Sequence, residues 1–186
     1  MSAEFGFHRG SLALNLAGTV GRRTSQPQDR LPDPSALGRW LHDAGLIDVV
    51  EHPRLSDLHA ARALREAIAR VAAAVATRAT PEPHDVAAID DAARWSALAV
   101  PYLDARTLTA RWLGDDPVRA ALGRVAADAV DLFARRRDRL VRCELRGCGA
   151  LLLSTSRGPR RRWCSMQTCG NTAKVAAHRA RAKLSP

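Results

Sequence analysis

Aromatic residues are scarce in this sequence, at 4 % of 186 residues, although its apolar content reaches 46 %. Ala, Leu and Val make up the balance, and small aliphatic side chains of this kind favour closely packed α-helices. The scarcity also leaves few exposed rings on which unpaired bases could stack, which argues against a single-stranded RNA ligand. The composition therefore predicts a mainly helical protein with small β-hairpins.

Long apolar runs are also absent. The first twenty residues have no basic start, and their apolar stretch is short and interrupted by polar residues. This is not the pattern of a signal peptide, and no segment approaches the length of a membrane span. We therefore expect a cytoplasmic location and no membrane partner.

Catalytic motifs are a third absence. No Ser/His/Asp spacing, glycine-rich phosphate loop or cluster of paired carboxylates stands out. Adjacent aspartates at 90–91 and 115–116 are typical of helix caps or solvated charge. Four histidines are scattered without metal spacing, at positions 42, 52, 59 and 84. The sequence predicts no catalytic residue, and we do not expect an enzyme.

Cysteine is missing from the first 142 residues and then occurs four times. Two C-x4-C pairs are separated by fifteen residues, at Cys143, Cys148, Cys164 and Cys169. Tetrahedral Zn²⁺ takes four thiolates, and one local turn can bring each close pair together, so this spacing is typical of a structural zinc site. Four protein ligands leave no position for a water, which disfavours a catalytic zinc.

Two disulfides, four unconnected thiols or a redox dithiol are the alternatives to a metal site. Disulfides need an oxidising compartment, which nothing else in the sequence indicates. A redox dithiol is usually a C-x-x-C motif, which is not the spacing here. Zn²⁺ bound by all four cysteines is therefore the predicted cofactor.

Charge is unevenly distributed along the chain. Residues 135–186 contain 14 Lys and Arg against 2 Asp and Glu, a balance of +12, whereas residues 1–134 contain 15 and 17, a balance of −2. A near-neutral domain joined to a basic module is typical of nucleic-acid binding, although a solvated basic surface would look the same. The zinc motif within the basic module favours nucleic acid.

Apolar periodicity predicts four helices in the first domain. They cover residues 35–44, 56–78, 84–93 and 117–137. Ser35 is expected to cap the first helix, and Asp116, followed by Pro117, the last. On the longest helix the arginines are expected to form a solvated face.

Alternating apolar residues between Trp95 and Trp112 predict a β-hairpin. Residues 5–20 fit a strand or a short helix equally well, and residues 21–34 read as a polar loop. In the basic module, residues 150–154 and 160–163 are expected to form a second hairpin that follows the first cysteine pair. A helix is expected after Asn171, with Cys169 at or just before its start, which gives a treble-clef-like zinc finger.

The segments 154–157, 163–166 and 169–171, followed by Lys174 and a basic helix, resemble the CGNR zinc finger. Members of that family carry this finger after a domain called ABATE and are described as stress-induced transcription regulators. Thr172 stands where the family name requires Arg, which removes one phosphate or structural contact and leaves the four cysteines untouched. The resemblance implies an ABATE-like domain over residues 1–138 and the finger over 139–186.

The resemblance and the charge together predict a DNA-binding regulator, and the alternative is an RNA-binding zinc protein. Duplex DNA is the expected partner, which would place the protein at the nucleoid. The resemblance also implies a small-molecule effector or a homodimer formed by the first domain. Eight cations are expected to meet DNA, namely Arg157, Arg160, Arg161, Arg162, Lys174, Arg179, Arg181 and Lys183.

Overall fold

The computed structural model describes residues 5–48, 52–154 and 161–182, and the side chains of residues 178 and 180–182 lie outside that description. Six α-helices and three two-stranded antiparallel sheets are found in these ranges. None of the described helices is long and apolar enough to cross a membrane.

The helices, in chain order, are α1 Leu12–Ala17, α2 Pro34–Asp43, α3 Leu55–Ala76, α4 Pro83–Ala93, α5 Pro117–Arg135 and α6 Asn171–Ala182. The strands are β1 Val20–Gly21, β2 Gln28–Asp29, β3 Val100–Leu103, β4 Ala110–Leu113, β5 Leu140–Arg142 and β6 Leu151–Leu153. Short 3-10 turns follow α4 and α5. The mainly helical class with small hairpins is therefore confirmed.

Helices α3 and α5 form the centre of the hydrophobic core. Leu58, Leu64 and Ile68 of α3 are buried in one cluster with Leu122 and Val125 of α5. Leu64 and Ile68 are four residues apart, and Leu122 and Val125 are three apart, which places each pair on one face of its helix, as a 3.6-residue period requires. Small alanines at the contacts allow the helices to pack closely, which is the arrangement expected from the scarcity of aromatics.

The arginines of α3 differ from the solvated face predicted for them. Arg65 is buried, and its guanidinium donates to both carboxylate oxygens of Asp29 at 2.7 and 2.9 Å. Arg62 donates to the carbonyl oxygen of Leu31 at 2.7 Å, and Arg23 pairs with Glu66 at 2.6 Å. These bonds hold the polar segment 19–33 against α3, because that segment has too few apolar residues to pack by itself.

One of the four predicted helix starts agrees with the structure and three differ, that of α4 by one residue, since it begins at Pro83. Asp116 accepts a hydrogen bond from the Arg119 amide, so it is the predicted cap of α5. For α2 the cap is Asp33 and not Ser35, because Pro34 at the first helical position leaves the preceding carboxylate facing the free amides. Helix α3 begins one residue before the predicted Ser56, after Arg54.

Residues 5–20, which the sequence left undecided, contain helix α1. The side chain of Ser11 caps it, and the Asp128 carboxylate of α5 accepts hydrogen bonds from Ser11 Oγ and from the Ala13 amide. Arg136 donates to the other oxygen of the same carboxylate at 2.9 Å. One aspartate thus fixes α1 to the end of α5.

The hairpin predicted between Trp95 and Trp112 is present as β3 and β4, with Tyr102 opposite Arg111. The basic module differs from the prediction. Strand β6 pairs with β5, which precedes the first cysteine pair, and not with residues 161–163, the described part of the predicted partner; residue 160 lies outside the described residues. Leu140 lies opposite Leu153, because this register buries both leucines in the helical core.

The buried carboxylate of Asp85 allows a test of this core. Asp85 is 1 % exposed, and Arg70 donates to both of its oxygens, which lowers the pKa of Asp85. We expect Asp85→Ala to lower the free energy of unfolding by about 2 kcal/mol, the usual size for a hydrogen-bonded charge. Urea unfolding at pH 7 is the measurement.

Asp91→Ala is the control, because the pair of Asp91 with Arg94 is exposed and should contribute under about 0.5 kcal/mol. Since the folded pKa of Asp85 is depressed, its contribution is complete above its unfolded pKa of about 4 and is lost as the pH falls through the folded pKa. Equal losses in the two variants would contradict the assignment.

Candidate metal centre and nucleic-acid interface

The β5–β6 hairpin brings the first cysteine pair to its position. Side chains alternate between the two faces of a strand. Leu140 and Leu153 therefore enter the helical core, whereas Val141 and Leu152, the next cross-strand pair, pack against the cysteines. The cysteine cluster therefore packs on apolar side chains of the hairpin, and the same hairpin packs on the helical core.

The turn between β5 and β6 carries Cys143 and Cys148. Gly147 and Gly149 have φ of 80° and 66°, a backbone region that glycine adopts without strain. At Gly149 a Cβ atom would meet Thr24 Cγ2 at 2.7 Å, so glycine is also needed for close approach to the first domain. Ser25 Oγ donates to the Gly147 carbonyl at 2.9 Å and holds the same turn.

The second pair lies on the turn that leads into α6. Ser165 accepts a hydrogen bond from the Thr168 amide, and residues Met166–Gly170 form one wide π-helical turn before α6 begins at Asn171. Cys169 lies just before α6, as predicted, and is 8 % exposed. The Cys164 amide points at Cys143 Sγ, with a 3.4 Å separation.

The four sulfurs converge on one point. All Sγ atoms lie within 4.8 Å of one another, and Cys148, Cys164 and Cys169 are separated by 3.3 to 3.7 Å. A zinc ion held at about 2.3 Å by four thiolates places neighbouring sulfurs about 3.8 Å apart. None of the four is joined in a disulfide. The cluster therefore fits a tetrahedral zinc ion, the cofactor that the sequence predicts.

The close spacing of the four thiols also favours the binding of a cation. A hydrogen bond from Cys164 lowers the pKa of Cys148 to about 5. The same interaction and burial raise the pKa of Cys164, and burial raises the pKa of Cys169 to about 11. The Cys148 thiolate thus forms easily and those of Cys164 and Cys169 do not, because burial and the neighbouring negative charge oppose them. A divalent cation removes that penalty.

Arg161 connects the metal centre to the N-terminal segment. Its guanidinium donates to three carbonyl oxygens, those of His8 at 2.7 Å, Cys164 at 2.6 Å and Trp163 at 3.1 Å. The phosphate contact predicted for Arg161 stays a prediction, and these three bonds compete with it.

Arg162 is exposed but has partners within the finger. It donates to Glu144 at 2.7 Å, and its guanidinium lies 4.9 Å from the centre of the Trp163 ring. The Glu144 amide donates in turn to the Arg162 carbonyl at 2.9 Å, which joins the two cysteine turns. The Trp163 ring is partly buried and packs against the cysteine cluster.

Helix α6 is held at its start, and most of its described side chains are exposed. Of residues 171–177, only Ala173 is partly buried. Lys174 and Arg179 are exposed and have no hydrogen-bond or ion-pair partner in the described ranges 5–48, 52–154 and 161–182. Both cations are therefore available to an external ligand.

Several predicted cations cannot be placed. Arg157, Arg160 and Lys183 lie outside the described residues, and so does the side chain of Arg181. Two exposed arginines that sequence reasoning omitted are near the cysteines, Arg142 at the end of β5 and Arg146 in the turn after Cys143. Their nearness to the first cysteine pair in sequence was the signal that could have identified them.

Comparison with protein families gives two matches. Residues 10–136 match ABATE, whose description is "Putative stress-induced transcription regulator", and residues 139–182 match the CGNR zinc finger. No curated protein matches the chain. The first match covers more than half of the sequence, and the second contains all four cysteines.

The bonds made by Arg161 lead to a testable difference between two neighbouring arginines. We expect Arg161→Gln to lower the free energy of unfolding by about 2 kcal/mol, because charge-assisted hydrogen bonds to three carbonyls are lost. Arg162→Gln should cost under about 1 kcal/mol, since its ion pair with Glu144 is exposed. Urea unfolding of both zinc-loaded variants makes the comparison, and equal losses would contradict it.

Proposed function

This chain belongs to the ABATE family, and we propose that it is a transcription regulator whose C-terminal zinc finger binds duplex DNA. The observation that carries the proposal is α6, whose start is fixed by the cysteine cluster. Two of its cations, Lys174 and Arg179, are exposed and have no partner among the described residues. A helix held in this way can bind a partner surface. The charged side chains of Lys174 and Arg179 make the apolar core of another protein an unsuitable partner.

The major groove of DNA is the surface that suits α6. It is about 12 Å wide and accepts an α-helix, and phosphates on either side attract Lys and Arg. Lys174 would meet phosphate, while Arg179, like Arg157 before the second cysteine pair, is a candidate for reading a guanine edge. Arg142, Arg146, Arg160, Arg181 and Lys183 extend the proposed contact surface.

Zinc has a structural role in this proposal. The proposed ligands are Cys143, Cys148, Cys164 and Cys169, and the bound ion would neutralise their charge and fix the two turns relative to each other. The chain's own residues position the two turns. The β5–β6 hairpin positions the turn that carries Cys143 and Cys148, and Arg161 positions the turn that carries Cys164. No residue is proposed to act in catalysis.

The first domain is proposed to regulate the finger. We assign residues 1–138 to it and residues 139–186 to the finger, and we propose that it responds to a small ligand or holds a homodimer. The corresponding location is the cytoplasm, in association with the nucleoid. The contacts of α1, α3 and α5 with the β5–β6 hairpin support such control, since the finger is packed against the domain and is not on a loose linker.

Removal of one cysteine tests the metal site. Structural zinc contributes on the order of 10 kcal/mol to the folding of such modules. We expect Cys169→Ser to lose zinc and to abolish DNA binding, and Ser165→Ala, which removes only a turn cap, to keep both. Native mass spectrometry counts the bound zinc. A metal-free wild-type protein with two disulfides would overturn the assignment.

Salt dependence tests the DNA contact. If about six cations meet phosphates, log K should fall against log salt concentration with a slope near −5. The double variant Lys174→Ala/Arg179→Ala should flatten this slope by up to about two units, and less if Arg179 reads a base. Fluorescence anisotropy with a labelled duplex over a salt series is the measurement.

Arg94→Ala/Arg106→Ala is the matched control, because it removes the same charge from exposed positions of the first domain. An equal effect of the two pairs would mean that net charge alone acts. A duplex RNA of the same sequence runs in parallel. Preferential binding of the RNA would replace the DNA proposal by the alternative of an RNA-binding zinc protein.

A further inference from the structure

A cavity of about 850 Å³ lies between the C-terminal half of α3, helix α4 and the end of α5. This volume is within the range of small-molecule sites. Val71, Ile89 and Leu140 line it and are each 3 % exposed, so its floor is apolar. Val86 and Val130 also line it and are about 40 % exposed, so apolar surface continues to its opening.

Among the residues that line this cavity, charged side chains occur only at the opening. Arg78 and Arg137 are exposed there, as are Asp90 and Asp138. Arg78 has no ion-pair or side-chain hydrogen-bond partner within the described part of the chain. Arginine is the longest of these side chains and binds carboxylates with two parallel hydrogen bonds, so it can reach a bound molecule that the short aspartates cannot.

The backbone at Arg78 is a second observation. Arg78 has φ of 59°, and it follows α3 at the position where the amides of Arg78 and Ala79 bond back to the carbonyls of Val75 and Ala74. Glycine is the favoured residue at this position of a helix end. An arginine there keeps a disfavoured backbone conformation, and its side chain lines the cavity.

We infer that this cavity binds an amphipathic carboxylate, with its apolar body against Val71 and Ile89 and its carboxylate at Arg78. The inference deepens the proposed response of the first domain to a small ligand and rests on it for its biological meaning. Leu140 is both a wall of the cavity and the first residue of β5. A bound molecule therefore contacts the strand that leads to Cys143.

Three ten-carbon probes test the site in the full-length zinc-loaded chain. Decanoate, 1-decanol and decylamine share one apolar body and differ in the charge of the head group. We expect saturable one-to-one binding of decanoate, about tenfold tighter than that of decanol, with decylamine the weakest. Isothermal titration calorimetry is the measurement. Absence of saturable decanoate binding, or tighter binding of decylamine, would overturn the inference.

Two variants locate the binding. Arg78→Gly removes the guanidinium and places the favoured residue at φ 59°, so the fold is retained while decanoate affinity should fall about tenfold and decanol affinity less than twofold. Arg22→Gly is the matched control, because Arg22 is an exposed arginine with φ of 51° outside the cavity. Val86→Trp, at the opening, should block all three probes. An equal loss in Arg22→Gly would overturn the site.

Failure of this inference and failure of DNA binding are distinguishable. Decanoate binding is measured without DNA, and DNA affinity is measured without decanoate. If the cavity regulates the finger, saturating decanoate changes DNA affinity, and DNA changes decanoate affinity by the same factor. Binding of decanoate with unchanged DNA affinity would keep the site and overturn the regulatory coupling.

Discussion

The rest of the structure depends on the alternation of side chains along the β5–β6 hairpin, whose strands have three residues each. Leu140 and Val141 are neighbours in sequence, but a strand directs them to opposite faces, one into the helical core and one toward the cysteines. A shift of register by one residue would exchange the two faces of a strand, so that leucines that fit the helical core would face the cysteines instead. The helical domain and the metal centre therefore share one small sheet.

This shared sheet changes how the basic charge of the C-terminal part acts. The balance of +12 over residues 135–186 overstates the charge available to an external anion, because some of these arginines have partners elsewhere in the protein. Arg161 donates to three carbonyls, and Arg136 pairs with Asp128, which lies outside this range. The cations without partners in the described ranges include Lys174 and Arg179 of α6. In the proposed function, attraction for phosphate is therefore concentrated on this helix, whose start is fixed by the cysteine turn.

The sequence predicts the features that depend on local pattern. Cysteine spacing identifies the metal cluster, the Asp-Pro pair at 116–117 identifies the start of α5, and alternation identifies the β3–β4 hairpin. Each of these signals lies within about thirty residues, and the structure shows the cluster of four cysteines, the helix start and the hairpin.

What the sequence does not give is the choice of distant partners. Residues 160–163 and 140–142 are both plausible strands beside β6, and only the burial of Leu140 among α1, α3 and α5 decides between them. In the same way, Arg65 looks like a surface residue until Asp29 is placed beside it. Polar residues that are buried by partners 36 positions away leave no periodic trace in the chain.

The position of Leu140 also sets how strongly distant sites can influence one another. A ligand in the cavity, the packing of α5 and the turn that carries Cys143 all act on the same strand of three residues. Coupling between two sites requires an element whose arrangement both of them bias. In a flexible two-domain protein that element would be missing, and the free energy of coupling would be close to zero. In the proposed regulation the β5–β6 hairpin would supply this element, and the coupling would fall in the usual range of about 1 to 3 kcal/mol.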